Sequence, residues 1–206
     1  MTETPDSSRV KGFFSISAPF YDFFVGRLMG KNAQRGMEFL SPVEGLTALD
    51  ICTGTGIMAK ALFEEGAKVT GIDFTPAMLD RARRKLEDTD VELKLMDAGK
   101  LDFPDKSFDI VTVSMGLHDI PGNYRKEVLK EMGRVCRGHI LIIDNCGVPE
   151  NKLNRKMTSM LERMEGSNYR DFVEENIEQM LGKAGIFITE NKVIKNTCYL
   201  LCKSKN

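Results

Sequence analysis

The chain has no tryptophan, only two histidines, and no Cys-x-x-Cys pair. Without that cysteine spacing, neither a zinc ribbon nor a dithiol redox centre is indicated. The five cysteines are an odd number. Cys52, Cys136 and Cys146 lie in or beside apolar stretches, while Cys198 and Cys202 sit too far apart along one strand for an easy mutual bridge. Reduced thiols and a cytoplasmic setting are expected. Charge of one sign is missing too: 29 Lys+Arg stand against 30 Asp+Glu, a net −1, so no basic field recruits nucleic acid. No apolar run approaches the roughly 20 residues of a membrane span, and the N-terminus shows no signal-peptide pattern. Repeats, low-complexity tracts and a second domain are absent as well.

What is present is enough chain, at 206 residues, for one domain with a sizeable core. Residues 46–56, LTALDICTGTG, organise it. Leu46 to Ile51 reads as a buried strand, and Ile57 to Glu65 follows at helical period. Between them, Gly54 and Gly56 allow a sharp turn that brings bare backbone close to a ligand. Such a turn at the carboxyl end of a parallel strand is where open α/β sheets bind their ligands.

Gly54, Gly56 and Ala59 also satisfy the dinucleotide spacing G-x-G-x-x-A, a weak match when alone. Asp50 argues against it. A carboxylate beside the turn repels a pyrophosphate and welcomes an ammonium or a sulfonium. Two further acids end predicted strands: Asp73 after Lys68–Ile72, and Asp97 after Val91–Met96. Asp73 is placed to grip a ribose diol. Each acid alone could be a solvated loop residue or a helix cap; three at strand ends beside one switch point are harder to explain that way.

On these residues the chain resembles the class I S-adenosylmethionine-dependent methyltransferases. The resemblance implies S-adenosylmethionine as cofactor, S-adenosylhomocysteine as product, and no metal. In that family the glycine turn holds the methionine part, the second acid the ribose hydroxyls and the third the adenine amine. Carried over, the binding set is Tyr21, Asp50, Cys52, Thr53, Gly54, Gly56, Asp73, Phe74, Met78, Asp97, Ala98, Ser114 and Met115. Met78 would lie under the adenine and Phe103 would be its other apolar cover. The implied fold is α/β: a Rossmann-like doubly wound sheet of about seven strands, mostly parallel with the last antiparallel, and helices on both faces.

Residues 1–11 read as a polar tail and 12–206 as one methyltransferase domain, with 12–40 a helical lid and 41–206 the catalytic core. Phe13, Phe14, Phe20, Tyr21, Phe23 and Phe24 crowd the lid. They either pack helices on the sheet or cover the cofactor and shape an apolar acceptor pocket. In the family a Tyr-Asp pair such as Tyr21-Asp22 opens this lid. Thr75 is a suitable N-cap, with Pro76 at the first position of a helix through Leu86 whose Arg81, Arg83, Arg84 and Lys85 form a solvated face.

FDIVTVSMGLHDI, from Phe108, resembles the ubiquinone/menaquinone-biosynthesis C-methyltransferases, which read Phe-Gly-Leu-Arg-Asn at the turn. Here His118-Asp119 replaces Arg-Asn, and a short Arg137-Gly138 turn replaces their Lys-Pro-Gly-Gly. A solvent-facing His118 beside Asp119 would hold its proton more tightly and could accept one from a substrate; alternatively it only shapes the turn. His118, and after it Tyr21, are the candidate catalytic bases.

Helices are expected over Tyr124–Arg137, Asn151–Glu165 and Tyr169–Ala184. Strands are expected over His139–Asp144, Ile186–Ile194 and Thr197–Lys203. Met157, Met160, Leu161 and Met164 form an adaptable stripe. Three functions fit. One is methyl transfer to a small apolar or aromatic acceptor, with a lipid-headgroup amine as the variant and transient membrane-surface contact if the acceptor is a lipid or quinone. Another is methylation of nucleic acid or protein, which the missing Asn/Asp-Pro-Pro-Tyr motif disfavours. The third is a non-catalytic S-adenosylmethionine-binding module.

Overall fold

In the computed structural model, residues 18–146 and 168–205 are described, with side chains described from 26 in the first segment and from 171 in the second. The expected tail, the early lid aromatics Phe13 and Phe14, the helix over 151–165 and its methionine stripe lie outside the described residues. So do the side chains of Phe20, Tyr21, Phe23 and Phe24, although their backbone lies in the first helix.

Seven strands form one sheet in the order β3-β2-β1-β4-β5-β7-β6. These are β1 (Thr47–Ile51), β2 (Lys68–Asp73), β3 (Glu92–Leu95), β4 (Phe108–Ser114), β5 (Cys136–Asn145), β6 (Ile186–Ile194) and β7 (Thr197–Ser204). The pairs from β3 through β5 are parallel, and β7 runs antiparallel to both β5 and β6. Strand order reverses between β1 and β4, which opens a crevice at their carboxyl ends. The central strands are apolar on both sides because helices cover both faces of the sheet. Leu49, Ile51, Val111, Val113, Ile140 and Ile142 point one way, into Val128, Leu129, Met132, Phe172 and Leu181. Ala48, Ile110, Leu141 and Ile143 point the other way, into Ala33, Met37, Met58, Leu62, Ala82 and Leu86.

The first face carries α4 (Gly122–Val135), α5 (Asn168–Glu174) and α6 (Ile177–Lys183). The second carries α1 (Ala18–Leu40), α2 (Ile57–Glu64) and α3 (Pro76–Lys85). The latter half of α1 is seated directly on the sheet: a Cβ at Gly36 would come within 2.6 Å of Ile143. Tyr199 on β7 donates to Asn32 Oδ1 at 2.9 Å.

Three local expectations change. The helix expected over Tyr169–Ala184 breaks in two, because Asn176 Oδ1 accepts the Gln179 N–H at 2.9 Å and starts α6. Arg137-Gly138 is strand rather than turn. Only a glycine fits there, since a Cβ on residue 138 would lie 2.2 Å from the Asp109 carbonyl oxygen. Thr75 occupies the N-cap of α3, but its side chain makes no capping bond to the helix.

Candidate active site at the carboxyl ends of β1, β2 and β4

In the turn after β1, every second residue from 52 to 56 has a positive φ. Cys52, Gly54 and Gly56 have φ of 55°, 54° and 80°, a left-handed conformation that glycine adopts without strain. The two glycines serve different ends. A Cβ at Gly56 would strike Leu86 at 2.7 Å, so this glycine lets α2 pack on α3. A Cβ at Gly54 would meet only the Cys52 carbonyl oxygen, at 3.9 Å. Gly54 therefore presents bare main chain to open space, as a ligand cradle requires.

Asp50 lies beneath this turn and does not face out. The Thr53 hydroxyl donates to its Oδ2 at 2.6 Å and the Thr112 hydroxyl to its Oδ1 at 2.7 Å. Burial pushes its carboxyl up to about 6, against those two hydroxyls and the Ala59 N–H; the Asp73 charge adds to the rise. A direct grip by Asp50 on a ligand cation is thereby replaced by support of the loop that would hold it.

Asp73, at the end of β2, spans the crevice edge. Its Oδ2 accepts the Gly54 N–H at 2.9 Å and its Oδ1 the Thr75 N–H at 2.8 Å. Burial raises its carboxyl, offset by those amides. Each oxygen keeps a second lone pair for a diol. Phe74 beside it is 47% exposed, an apolar face open to a flat ring, and Met78 is buried under the same edge. Asp97 is exposed; its Oδ1 accepts the Gly99 N–H, and its Oδ2 accepts the Tyr124 hydroxyl. Ala98 is half-buried next to it. Tyr124, which sequence reasoning missed, thus covers the Asp97 turn. Phe103 does not cover this site: its ring meets Phe108 edge-on at 5.0 Å, at the amino end of β4, away from the crevice.

The second wall follows β4. Ser114 and Met115 are half-buried at its end, and the Met115 N–H donates to the Ile143 carbonyl at 2.7 Å. Gly116 brings this turn against the first one, for a Cβ there would lie 2.7 Å from Cys52 Cβ. A 3-10 turn, Leu117–Asp119, then carries His118. The expectation of a solvent-facing histidine fails: His118 is only 8% exposed. It is held by Asp144, whose Oδ1 lies 2.7 Å from His118 Nδ1 and whose Oδ2 accepts the Leu117 N–H at 2.9 Å and the His118 N–H at 3.4 Å. Asp119 does stand beside it as expected, with Oδ1 3.4 Å from Nε2.

Arg125, fully buried, fixes the same turn from its carbonyl side. Its Nε donates to the Leu117 carbonyl at 3.0 Å and its Nη2 to the Ile120 carbonyl at 2.8 Å. Nη1 pairs with Glu175, and the guanidinium lies 4.9 Å from the Phe172 ring centre. Neither Asp144 nor Arg125 carries a local motif; Asp144 is a charge in an otherwise apolar strand, and Arg125 shares its helix spacing with the buried Val128, Leu129 and Met132.

The two walls share one electrostatic feature. Burial drives the Cys52 thiol well above its ordinary pKa, and Asp73, Asp119, Asp50 and Asp144 all push it further. Negative charge behind both turns suits a ligand carrying positive charge at its centre.

Residues 48–139 match the methyltransferase domain family. A demethylmenaquinone methyltransferase of Listeria welshimeri is 38% identical over 157 residues, covering 70% of this chain and 65% of that protein. A phosphatidylethanolamine N-methyltransferase of Cereibacter sphaeroides is 37% identical over 131 residues, covering 61% and 63%. The chain thus spans less than two thirds of the length of these relatives. The structure of a Synechocystis magnesium protoporphyrin IX methyltransferase with S-adenosylhomocysteine bound superposes with a TM-score of 0.68 at 16% identity, over 97% of this chain and 96% of that one, so the fold is shared. Sheet order, glycine turn and relatives together support a class I S-adenosylmethionine-dependent methyltransferase.

Proposed function

We propose that the protein transfers a methyl group from S-adenosylmethionine to a small apolar or aromatic acceptor with an acidic proton, such as a quinol or another phenol. The observation that carries this reading is the bare Gly54 main chain beside Asp73, faced by the buried His118 turn across the Gly116–Cys52 contact. The bound cofactor supplies a methyl group already activated by its sulfonium.

The chain's own residues bind and align. Gly54 and Thr53 offer main chain to the methionine part, with Asp50 steadying the loop from below. Asp73 takes the ribose hydroxyls, Phe74 and Met78 the adenine faces, and Asp97 with Ala98 its edge. Ser114, Met115 and the turn after them form the acceptor wall. Alignment of reactants supplies on the order of 7–11 kcal/mol. A general base contributes a further factor of roughly 100 to 10,000. Alignment is therefore the larger part, and the base matters when a proton must leave the acceptor. His118 Nε2 takes that role here. Support for an aromatic acceptor comes from the demethylmenaquinone methyltransferase likeness.

A second reading, an amine on a lipid headgroup, draws on the phosphatidylethanolamine N-methyltransferase likeness and on Asp119, whose side chain is 34% exposed beside His118. Transient contact with a membrane surface goes with a lipid or a quinone as acceptor. Among the described residues no helix is long and apolar enough to cross a membrane.

The test is calorimetric titration with S-adenosylhomocysteine and with NAD, then radiolabelled methyl transfer to three acceptors. These are a demethylated naphthoquinol, a simple phenol, and phosphatidylethanolamine in vesicles. Binding of S-adenosylhomocysteine and label in the quinol or phenol are expected. NAD binding without S-adenosylhomocysteine binding would overturn the reading, and label in the vesicles alone would select the amine.

A further inference from the structure

Asp144, the penultimate residue of β5, is fully buried, and the binding scheme above gives its side chain no ligand contact. We infer that Asp144 is a positioning residue: it holds His118 in the tautomer whose Nε2 carries the lone pair and accepts the substrate's proton. This rests on the proposed role of His118.

The two carboxylate oxygens do different jobs. Oδ2 takes the main chain of the 3-10 turn, from Leu117 and His118. Oδ1 takes the ring at Nδ1, and also the Asn145 N–H at 2.7 Å. With three main-chain N–H groups already donating to it, Asp144 acts as an acceptor, so the proton between it and the ring belongs to Nδ1. The neutral ring then has its lone pair on Nε2. A purely structural role would require only the Oδ2 bonds, and the carbonyl side of that turn is already fixed by Arg125.

The proton balance is simple. The acceptor's O–H or activated C–H bond breaks as its new bond to the methyl carbon forms, the departing sulfur keeps the old methyl–sulfur pair as neutral S-adenosylhomocysteine, and the proton passes to Nε2. Nδ1 keeps its own proton, and Asp144 gains none. The imidazolium lies between Asp144, at 2.7 Å from Nδ1, and Asp119, at 3.4 Å from Nε2, and releases its proton to water once product has left. The Phe172 ring lies 6.5 Å from the His118 ring, centre to centre.

An amide in place of Asp144 cannot reproduce this. If its NH2 faces the ring, Nδ1 must give up its proton and the tautomer inverts. If its NH2 faces the turn, it meets the Leu117 and His118 N–H groups.

The test begins with the unaltered full chain, labelled with ¹⁵N-histidine. Long-range ¹H–¹⁵N spectra should show a protonated Nδ1 and an unprotonated Nε2 for neutral His118, assigned against His139 with the His118→Gln variant. The opposite tautomer would overturn the inference without any variant having to fold. Turnover with the quinol or phenol that accepts label is then compared. Asp144→Asn should fall about 100-fold or more with S-adenosylhomocysteine affinity within about twofold. The Asp144→Asn/His118→Gln double variant should be no slower than the worse single one. Full turnover in His118→Gln would remove the base itself, and this inference with it. Loss in His118→Gln with full turnover in Asp144→Asn would remove the positioning role alone.

Discussion

Around Asp73 the crevice is built from main chain; around His118 it is built from side chains. On the first wall a carboxylate bridges the Gly54 and Thr75 amides, and the conformation is set by residues close in sequence to β1 and β2. On the second wall the turn has little local support of its own. It is clamped between Asp144, from β5, and Arg125, from α4, which in turn holds Glu175 after α5. The first wall therefore depends on backbone shape, the second on charges brought from three separate elements. Substitutions should injure the two walls in different currencies: affinity on one side, stability and rate on the other.

The sharpest way to break this contrast is Arg125→Met. It removes a fully buried cation from two carbonyls and from Glu175, and should lower unfolding free energy in urea by about 3–5 kcal/mol, nearer the lower figure because Glu175 is 40% exposed. A loss below about 1 kcal/mol, the worth of a surface pair, would show that the second wall stands without its clamp. Next is His118→Gln, expected to cost about 100-fold in turnover, or about 3 kcal/mol, at unchanged S-adenosylhomocysteine affinity. Steady-state rates beside calorimetry separate the two quantities, and equal rates would reduce His118 to a turn-former.

Asp73→Ala sharpens the comparison from the other side. Affinity for S-adenosylhomocysteine should weaken by roughly 1.5–3 kcal/mol, the worth of hydrogen bonds to a charged group. Unchanged affinity in the folded variant would take the ribose away from Asp73. The mildest effect is expected at Asp50. Its folded carboxyl holds a proton up to about pH 6, whereas the unfolded chain releases it near 3.8. Between those values the folded state binds more protons, so this contribution to stability falls as pH rises from about 4 to 6. Asp50→Asn should flatten that part of the melting-temperature profile, because the Thr53 and Thr112 hydroxyls can turn to suit an amide. A slope identical to that of the unaltered chain would assign the effect elsewhere.

The first wall was legible in the sequence because its information is local. A strand, a glycine turn and a helix follow one another, and β2 ends on the expected Asp73. The acids at the ends of β1 and β2 were also legible as site material, but not their directions. Asp50 reads as a ligand carboxylate until Thr112, from the neighbouring strand, is seen to occupy it. The second wall was not legible, because its partners lie far apart in the chain and no spacing rule links them. His118 and Asp144 are 26 residues apart, Arg125 and Glu175 are 50 apart. A histidine on a loop reads as exposed, and the placement of β5 and of Phe172 on α5 buries it. Gly138 misled in the opposite way: it suggested a turn, while the close approach of the Asp109 carbonyl demanded glycine inside a strand.

Gly116 sets a rule for anyone who would re-engineer the acceptor preference. Its missing side chain is the clearance by which the acceptor turn passes Cys52, and a Cβ there would sit 2.7 Å from that residue's own Cβ, which no rotamer change can move. Loops grafted from other methyltransferases onto positions 114–120 are therefore interchangeable only as a pair of parts. The graft must keep glycine at 116, or residue 52 must itself become glycine, a change that its positive φ of 55° would accept.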